Sequence, residues 1–372
     1  MNNPYRFRKC IDSIPPYVPG KPIEEVEREL GLNGVIKMAS NENPLGPSNE
    51  VRQAVLHALD RIAQYPDANV YNLKETLARE REVAPEQILV GNGLDDVNRI
   101  LAETFLNTGD EVIIPLPTFS QYEIVTLLMG AKPVLVNGDG FRHDLQAMLG
   151  AITKRTRLIF LCNPNNPTGT ILTRAELTEF LKAVPPRIVV ILDEAYADFA
   201  DDPEFPDGIE LLKQGFNNLV VYHTFSKIYG MAGLRLGYAV AGPEIIKQAL
   251  RVKDPFNVNL VAQAAGIAAL NSKMHVLLSK ELVQISKKHF YEELDQMGIA
   301  YLPTQANFIL IDCGRDSAPL YDHLLRGGII VRPTHSFGLP NWIRVTFGTA
   351  EQNDRFLKAF RDGLKKLEAN AS

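Results

Sequence analysis

Several features are scarce in this sequence, and each absence excludes a class of protein. No run of 18 apolar residues occurs, and the N-terminus MNNPYRFRKCIDS lacks the apolar core of a secretory signal, so we expect a soluble protein that is not exported. The three cysteines, Cys10, Cys162 and Cys313, are far apart and odd in number. Cys162 and Cys313 end apolar runs, which indicates buried reduced thiols rather than disulfides and favours a cytoplasmic protein.

Charge and short motifs exclude further classes. Lysine and arginine total 39 against 44 aspartates and glutamates, both signs are scattered, and no basic run occurs, so we expect a small-molecule partner and no nucleic acid. The seven histidines show no H-E-x-x-H or other metal spacing, and no metal is predicted. The motif G-x-x-x-x-G-K-[ST] is absent, and ILVGNGLDD departs from the dinucleotide motif G-x-G-x-x-G because Asp96 stands at its third glycine.

What the sequence does contain is an alternation of strand and helix patterns between about residues 51 and 250. The 372 residues, 45% of them hydrophobic, suffice for more than one domain. Helical segments such as LDDVNRILAETFL and TRAELTEFLKAV follow several short apolar runs. The strand-like runs are QILVGNG, EVIIPLP, KPVLVNG, RLIFLCNP, RIVVILDEAY, NLVVYHTFS and LGYAVAG. This alternation predicts the α/β class, with a mostly parallel central sheet and helices on both faces.

The two ends of the chain have a different character. The first forty residues contain Pro15, Pro16, Pro19 and Pro22 and predict an arm that packs on something else before the large domain begins. A long helical pattern near residues 258–297 is followed by ANFILIDC, GIIVRP and WIRVTFGT and by a final helix, which predicts a smaller α+β lobe. We therefore expect an N-terminal arm over residues 1–40, a large domain over 41–265 and a small C-terminal domain over 266–372.

The carboxyl ends of the parallel strands are where ligands of such sheets bind, and the residues there are informative. In ILVGNGLDD, Gly91 and Gly93 precede Leu94 and Asp95, which open a helix. Free backbone N–H groups and the helix dipole at that point favour an anion such as phosphate. A glycine turn followed by a helix cap is the structural alternative.

Two ionisable residues follow later strands. Asp193 comes directly after five apolar residues, where a carboxylate needs a cationic or N–H partner to stay charged, and a helix N-cap is the alternative. Lys227, in YHTFSKIYGMAGLRLG, has Ser226 beside it and Arg235 eight residues on. A single lysine is ordinarily a solvated surface residue, so the significance of Lys227 depends on its neighbours.

Taken together, these residues match the needs of one cofactor, pyridoxal 5'-phosphate. Lys227 would supply the amine that condenses with its aldehyde, and Asp193 would keep its ring nitrogen protonated. Ser226, Arg235 and the helix N–H groups would hold its phosphate. The sequence therefore predicts an enzyme that depends on pyridoxal 5'-phosphate.

The chain also resembles the fold-type I aminotransferases, and within them the histidinol-phosphate aminotransferase family. The resemblance covers nearly the whole chain, in eleven segments that occur in order. The segments are PPYVPGKP, MASNENPLGPS, YPDANVYNLKETLA, LVGNGLDD, PLPTFSQY, CNPNNPTG, LDEAYADF, TFSKIYGMAGLRLGY, ANFILI, GIIVRP and WIRVTFGT.

The resemblance implies roles for residues at the matching positions. Lys227 is implied to bind the cofactor, and Asp193 and Tyr196 to act with it in catalysis. Phe119 is implied to stack on the ring, although many relatives have tyrosine there and a hydrogen bond from that hydroxyl is lost. The implied cofactor-binding set is Tyr65, Gly93, Leu94, Asp95, Phe119, Asn166, Asp193, Tyr196, Thr224, Ser226, Lys227 and Arg235. Because the family supplies Tyr65 across a subunit boundary, the resemblance also implies a homodimer with shared active sites.

For the substrate, the resemblance implies that Arg344 binds a carboxylate in a bidentate manner and that Arg332 contributes to a phosphate site. The implied substrate-binding residues are Tyr17, Asn43, Asn166, Arg332 and Arg344. The implied reaction is transamination between L-histidinol phosphate and 2-oxoglutarate, giving imidazole acetol phosphate and glutamate in histidine biosynthesis.

Three alternative functions stay open at this point. An aromatic amino acid aminotransferase would share most of the cofactor residues, and a decarboxylase of threonine phosphate would use the same lysine. A non-catalytic ligand-sensing module, of the kind fused to DNA-binding domains, is disfavoured because only about forty residues precede the fold and they show no helix-turn-helix pattern.

Overall fold

The computed structural model describes residues 5–14, 16 and 20–369. The helices are α1 (Ile23–Leu30), α2 (Asn49–Leu59), α3 (Tyr71–Arg81), α4 (Leu94–Phe105), α5 (Gln121–Leu128), α6 (Leu145–Gly150), α7 (Arg174–Ala183), α8 (Gly208–Lys213), α9 (Pro243–Ala249), α10 (Leu260–Asn271), α11 (Lys273–Met297), α12 (Ala318–Arg326) and α13 (Ala350–Ala369). Among these described helices, none combines the length and apolar character that crossing a membrane would require.

The strands form three sheets. They are β1 (Ile36–Lys37), β2 (Ile88–Gly91), β3 (Glu111–Leu116), β4 (Lys132–Asn137), β5 (Thr156–Cys162), β6 (Val189–Asp193), β7 (Leu219–Thr224), β8 (Gly237–Ala241), β9 (Tyr301–Leu302), β10 (Phe308–Asp312), β11 (Ile329–Ile330), β12 (Arg332–Pro333) and β13 (Trp342–Thr346). The main sheet has the order β2-β8-β7-β6-β5-β3-β4, and the neighbours from β7 to β4 are parallel. The predicted α/β class with a mostly parallel sheet is confirmed.

Alternating side chains of the central strands face two different layers of helices. In β6, Val190 and Leu192 belong to one buried hydrophobic cluster, while Val189 and Ile191 belong to another. Because successive strand residues point to opposite faces, this pattern shows that helices cover both faces of the sheet. The polar groups at the strand ends are therefore the part of the sheet that a ligand can reach.

The strand β8 is antiparallel to both of its neighbours, β7 and β2. It returns directly after β7, with Thr224 paired to Gly237, and the loop between these two residues carries Ser226, Lys227 and Arg235. The lysine and the arginine that the sequence analysis singled out therefore lie on one hairpin loop at the carboxyl end of β7.

Local sequence fixes where several helices begin. The Thr173 hydroxyl accepts the N–H of Glu176, whose carboxylate accepts the N–H of Thr173, so the two residues form a capping box at the start of α7. Asn259 caps α10 by accepting the N–H of Ala262 at 2.7 Å. These caps satisfy N–H groups that the first turn of a helix leaves without partners.

The C-terminal part contains an antiparallel sheet with the order β12-β13-β10-β9, as expected for a smaller α+β lobe. The pattern near residues 258–297 forms two helices, α10 and α11, because the chain turns at Ser272, whose hydroxyl donates to the carbonyl of Ala268. The helix α10 packs against α2 and α3. The predicted domain boundary after residue 265 falls inside α10, and the division into 41–265 and 266–372 stays a prediction.

The segment between α1 and residue 41 packs against the C-terminal part. The strand β1 pairs in parallel with β11, and Val26, Val35 and Ala39 cluster with Ile330. Met38 donates its N–H to the carbonyl of Ile330 and accepts the N–H of Thr346 at 2.8 Å. This pairing places residues 39–41 beside the carboxyl ends of the main-sheet strands, where they line a cavity.

Candidate active site

A cavity of about 310 Å³ lies at the carboxyl ends of β5, β6 and β7. Of the residues predicted to form the site, it brings together Leu94, Asp95, Phe119, Asn166, Asp193, Tyr196, Thr224, Ser226, Lys227, Arg235, Arg332 and Arg344. Their individual roles stay predictions. Within the described residues, no group of three or more histidine, cysteine, aspartate or glutamate side chains is arranged to hold a metal ion.

Lys227 has its amine inside this cavity. Its Nζ donates to the carbonyl of Ser40 at 3.0 Å and lies 5.6 Å from the centre of the Tyr196 ring. Burial lowers the pKa of Lys227 to about 8, with a further contribution from the positive charge of Arg344. At pH 7 a lysine with this pKa is neutral in about a tenth of the molecules, far more than at the ordinary lysine pKa, and a nucleophile or a base must be neutral.

Asp193 ends β6 and is 4% exposed. Its Oδ2 accepts the hydroxyl of Tyr122 at 2.6 Å, and its Oδ1 accepts the N–H of Ala195 at 3.0 Å. Burial raises the pKa of Asp193 to about 6, while these two hydrogen bonds act in the opposite direction. The N-cap of the following short helix is Tyr196, so the alternative interpretation of Asp193 as that cap does not hold.

The N-terminus of α4 and the hairpin loop meet at one end of the cavity. Gly93 is the N-cap of α4 with φ of 80°, and a Cβ atom there would lie 2.6 Å from a guanidinium nitrogen of Arg235. The Thr224 hydroxyl accepts the N–H of Ser226 at 3.1 Å. Free N–H groups of a helix, a guanidinium and two hydroxyl groups are the kinds of group that bind an anion such as phosphate, so the predicted phosphate site stays a prediction for this end of the cavity.

The phenol of Tyr196 is held by two asparagines. Its oxygen accepts Nδ2 of Asn41 at 2.9 Å and Nδ2 of Asn166 at 3.3 Å, and burial raises its pKa to about 12. Tyr196 therefore stays protonated near neutral pH and can donate to a ligand oxygen.

Asn41 is a functional candidate that the sequence analysis missed, whereas the predicted Asn43 is not among the cavity-lining residues. The side chain of Asn43 donates to the carbonyl of Ile228 and to the hydroxyl of Ser279, both at 2.8 Å. Both asparagines stand in the segment SNEN, which resembles the family, and only the fold shows which side chain reaches the cavity. The role of Asn43 in substrate binding stays a prediction.

Two arginines form one wall of the cavity. Arg332 on β12 and Arg344 on β13 are paired across the antiparallel sheet. Arg344 is 6% exposed, donates through Nη2 to the carbonyl of Ala39 at 2.6 Å and lies 5.3 Å from the centre of the Phe308 ring. This wall therefore presents two positive charges to a ligand in the cavity.

Not every predicted residue lines this cavity. Tyr65 is not among the residues that line the cavity of its own chain; it is 80% exposed and stacks on Phe256 with ring centres 4.8 Å apart. Tyr17 lies outside the described residues. The cavity also contains Tyr122 and Cys162, to which the sequence analysis gave no role in the site.

Comparison with known proteins adds to this geometry. The model of the family "Aminotransferase class I and II" matches residues 33–360. The histidinol-phosphate aminotransferases of Moorella thermoacetica and Caldicellulosiruptor saccharolyticus are 52% and 48% identical to the chain; each alignment covers 96% of this chain, and 93% and 100% of the relatives. The crystal structure of histidinol-phosphate aminotransferase from Sinorhizobium meliloti in complex with pyridoxal-5'-phosphate superimposes with a TM-score of 0.90 at 27% identity, covering 99% of this chain and 100% of that chain.

Proposed function

Because the chain belongs to the aminotransferase class I and II family, we propose that it catalyses transamination between L-histidinol phosphate and 2-oxoglutarate with pyridoxal 5'-phosphate as cofactor. The products would be imidazole acetol phosphate and glutamate, as in histidine biosynthesis. The observation that carries the proposal is the meeting of Lys227 and Asp193 with two arginines, Arg332 and Arg344, in one cavity. The names of the relatives at 52% and 48% identity support the choice of substrate.

The side chains present fit the cofactor. The close approach of Arg235 to Gly93, which leaves no space for a Cβ atom, forms a cradle for its phosphate. Asp193 would hold the ring nitrogen, Phe119 would lie against the ring, and Lys227 would hold the aldehyde carbon. When bound, the cofactor supplies a carbonyl group that takes up the amino group and a ring that withdraws electrons.

The protein's own groups would orient the reactants and move protons. Lys227, once free, would take the proton from the substrate Cα through Nζ, and its pKa of about 8 suits it to accept and return a proton near neutral pH. Tyr196 and Asn166 would hold the ring oxygen next to the aldehyde by hydrogen bonds. The negative charge of Asp193, in a buried place, would keep the ring nitrogen protonated.

The arginine wall accounts for the choice of substrate. Glutamate presents an α-carboxylate, whereas histidinol phosphate presents a phosphate in its place, so the site must bind a dianion as well as a carboxylate. Arg344 provides a planar fork for the carboxylate, and Arg332 adds a second charge for the phosphate. Two positive charges favour the dianion over the neutral side chain of phenylalanine.

The proposal includes a homodimer in which the partner subunit's Tyr65 completes the cofactor site. It is supported by the exposure of Tyr65, at 80%, next to exposed apolar residues of and after α2. Leu56, Leu59 and Ile62 are 57%, 47% and 65% exposed. An apolar surface of this kind in a single chain is typical of a face that binds another protein. The free cysteines are consistent with the proposed cytoplasmic location.

A panel of amino donors tests the substrate. Histidinol phosphate, unphosphorylated histidinol, phenylalanine and tyrosine are assayed with 2-oxoglutarate as acceptor, and we expect histidinol phosphate to have the highest kcat/KM. A higher value for phenylalanine or tyrosine would instead show an aromatic aminotransferase. Carbon dioxide release from threonine phosphate without 2-oxoglutarate would show the decarboxylase, and ligand binding without any turnover would show the sensing module.

A further inference from the structure

Tyr122 is a fully buried residue of α5 that contacts two residues of the proposed cofactor site. Its hydroxyl donates to Oδ2 of Asp193 at 2.6 Å. Its ring and the ring of Phe119 form a T-shaped pair, with centres 5.7 Å apart and planes at 82°. The ring of Phe160 stacks on the ring of Tyr122, with centres 4.5 Å apart.

We infer that Tyr122 is a positioning residue for the proposed transamination, because it orients the Asp193 carboxylate and supports Phe119 at the same time. The inference rests on the proposed function, since Asp193 and Phe119 are there assigned to the nitrogen and the face of the cofactor ring. Tyr122 would act through both residues without itself taking part in the chemistry.

The geometry explains how the carboxylate is fixed. Tyr122 donates to Oδ2 of Asp193, and the N–H of Ala195 donates to Oδ1 at 3.0 Å. Bonds to two different oxygens fix the plane of the carboxylate as well as its position. Because Tyr122 is fully buried and its ring packs against those of Phe119 and Phe160, the donor to Asp193 belongs to a packed aromatic group rather than to a mobile side chain.

The chemical nature of the donor matters as much as its position. Burial raises the pKa of Tyr122 well above the ordinary value, so the phenol remains a neutral donor. A lysine or arginine in this place would neutralise the carboxylate, whereas a phenol leaves its full negative charge available to a protonated ring nitrogen. Tyr122 thus stabilises the ionised form of Asp193 without competing for its charge.

The other groups that face Asp193 do not replace this effect. They are Asp95 on α4, Cys162 on β5, Tyr196 after β6, and Tyr222 and Lys227 on and after β7. Asp95 raises the pKa of Asp193 and Lys227 lowers it, while burial raises the pKa of the Cys162 thiol, which stays neutral. Loss of the Tyr122 hydroxyl is therefore expected to raise the pKa of Asp193 beyond about 6.

The test is the affinity of the apoenzyme for pyridoxal 5'-phosphate, measured by absorbance titration over a range of pH. In Tyr122→Phe we expect the affinity near neutral pH to fall about ten- to hundredfold, the effect of one hydrogen bond to a charged group. We also expect the loss of affinity on acidification to begin at a higher pH than in the unchanged protein, since Asp193 would be protonated sooner.

Tyr222→Phe is a matched control. Tyr222 is equally buried, lies opposite Asp193 on β7, and has a hydroxyl with no hydrogen-bond partner among the described residues. Its loss should change the affinity by less than about twofold. The same reduction in both variants would overturn the inference, because it would then reflect core disturbance rather than the bond to Asp193.

The background Asp193→Asn adds a second criterion. If Tyr122 acts through the carboxylate, Tyr122→Phe should have little further effect on cofactor affinity in that background. Additive losses, or an unchanged affinity in Tyr122→Phe alone, would overturn the inference.

A second variant covers the case in which Tyr122→Phe fails to fold. 3-Fluorotyrosine at residue 122 keeps the ring and is a stronger hydrogen-bond donor, so the pH at which half of the cofactor affinity is lost on acidification should fall. An unchanged midpoint pH would contradict the inference.

These measurements test the role of Tyr122 independently of the proposed substrate. They use cofactor affinity alone, so a panel in which another amino donor wins would overturn the substrate and leave the role of Tyr122 standing. A protein that fails to bind pyridoxal 5'-phosphate at all would overturn both.

Discussion

Two cavities of this protein contain buried or half-buried lysines, and they differ in how the charges are paired. In a larger cleft of about 750 Å³, Lys287 donates to both carboxylate oxygens of Asp201 at 2.9 Å, and Arg142 donates to both oxygens of Glu176. In the smaller cavity, of about 310 Å³, the amine of Lys227 donates to a backbone carbonyl.

The same contrast extends to other charges of the smaller cavity. Asp193 is bonded to a phenol and a backbone N–H, and Arg344 to a carbonyl and the amide of Asn166. Arg235 is an exception. It lies 3.3 Å from the carboxylate of Asp95, so it is paired with an opposite charge, as the lysine and the arginine of the larger cleft are. Neutral hydrogen-bond partners satisfy a buried charge without cancelling it, so its field remains available to a ligand. The size of a cavity is therefore a poorer guide to function than the partners of its charges.

The largest expected difference is between the two lysines. Lys227→Ala should reduce turnover by at least about 10³-fold because it removes the proposed base and the site of cofactor attachment. Lys287→Ala should leave turnover within about twofold and lower the free energy of unfolding by about 1–3 kcal/mol, since it leaves Asp201 without its partner. Steady-state assays and chemical denaturation measure the two effects.

Chemical trapping checks the same assignment directly. Borohydride reduction of the cofactor-loaded protein, followed by peptide mapping, should place the pyridoxyl group on Lys227. An adduct on Lys287 or on another lysine would show that Lys227 is not the residue that binds the cofactor.

Substitutions of Asp193 and Asp201, one carboxylate from each cavity, should differ nearly as much in their effect on turnover. Asp193→Asn should lower kcat by about 10²- to 10³-fold while the protein still binds cofactor, because an amide cannot hold the ring nitrogen in its cationic form. Asp201→Asn should affect stability alone. Near-normal turnover in Asp193→Asn would return this residue to a structural role.

The two arginines test selectivity. Arg332→Ala should lower the preference for histidinol phosphate over unphosphorylated histidinol by about ten- to hundredfold, because it removes a charged contact to phosphate. Arg142→Ala removes an arginine of the cleft and should leave that preference unchanged. Measured ratios of kcat/KM that do not differ between the two variants would refute a substrate role for Arg332.

The pH dependence of cofactor uptake tests the ionisation of Lys227. A neutral amine is needed to attack the aldehyde, and the pKa of Lys227 lies below the ordinary lysine value, at about 8. The uptake rate of the apoenzyme should therefore rise about tenfold per pH unit below that pH and level off above it. Stopped-flow absorbance measures the rate, and Lys287→Ala should not move the midpoint. A plateau only near pH 10 would indicate an unperturbed lysine.

The smallest effect concerns the exposed Tyr65. Tyr65→Phe should weaken cofactor affinity by about fivefold, because it removes one hydrogen bond to the cofactor, whereas Tyr71→Phe, also exposed, should not. Mixing Tyr65→Phe with Lys227→Ala should restore a fraction of the activity in hybrid dimers if Tyr65 acts across the subunit boundary. A monomer in sedimentation experiments would contradict the proposed dimer.

The class of fold and many of the residues that line the cavity could be predicted from the sequence, because apolar runs mark the strands and the polar residues after them mark the strand ends. Asp193 and Thr224 each follow an apolar run and line the cavity, because parallel strands bring such positions to one edge of the sheet. Family resemblance then assigned the roles of single residues, which periodicity cannot do.

Other features depend on contacts between distant segments. Tyr122 and Asn41 reach the cavity from a helix and from a segment that pairs with the C-terminal part, and no local pattern indicates either contact. The division at Ser272 was missed because both α10 and α11 continue one helical periodicity, and the break depends on the serine's hydrogen bonds to Ala268 and Ser48.

The hairpin between β7 and β8 has a consequence for how the site is assembled during folding. Lys227 and Arg235 lie on the short loop that joins the antiparallel strands β7 and β8. Only this short loop has to close to bring the two residues together. Asp193 and Gly93 join them only when β6 has paired in parallel with β7 and β2 has paired antiparallel with β8, and both pairings bring together segments that are farther apart in the chain. A partly folded chain that retained this hairpin would hold Lys227 next to Arg235, the arginine proposed to bind phosphate, while lacking the carboxylate of Asp193. The ability to bind cofactor tightly would therefore report late, long-range folding.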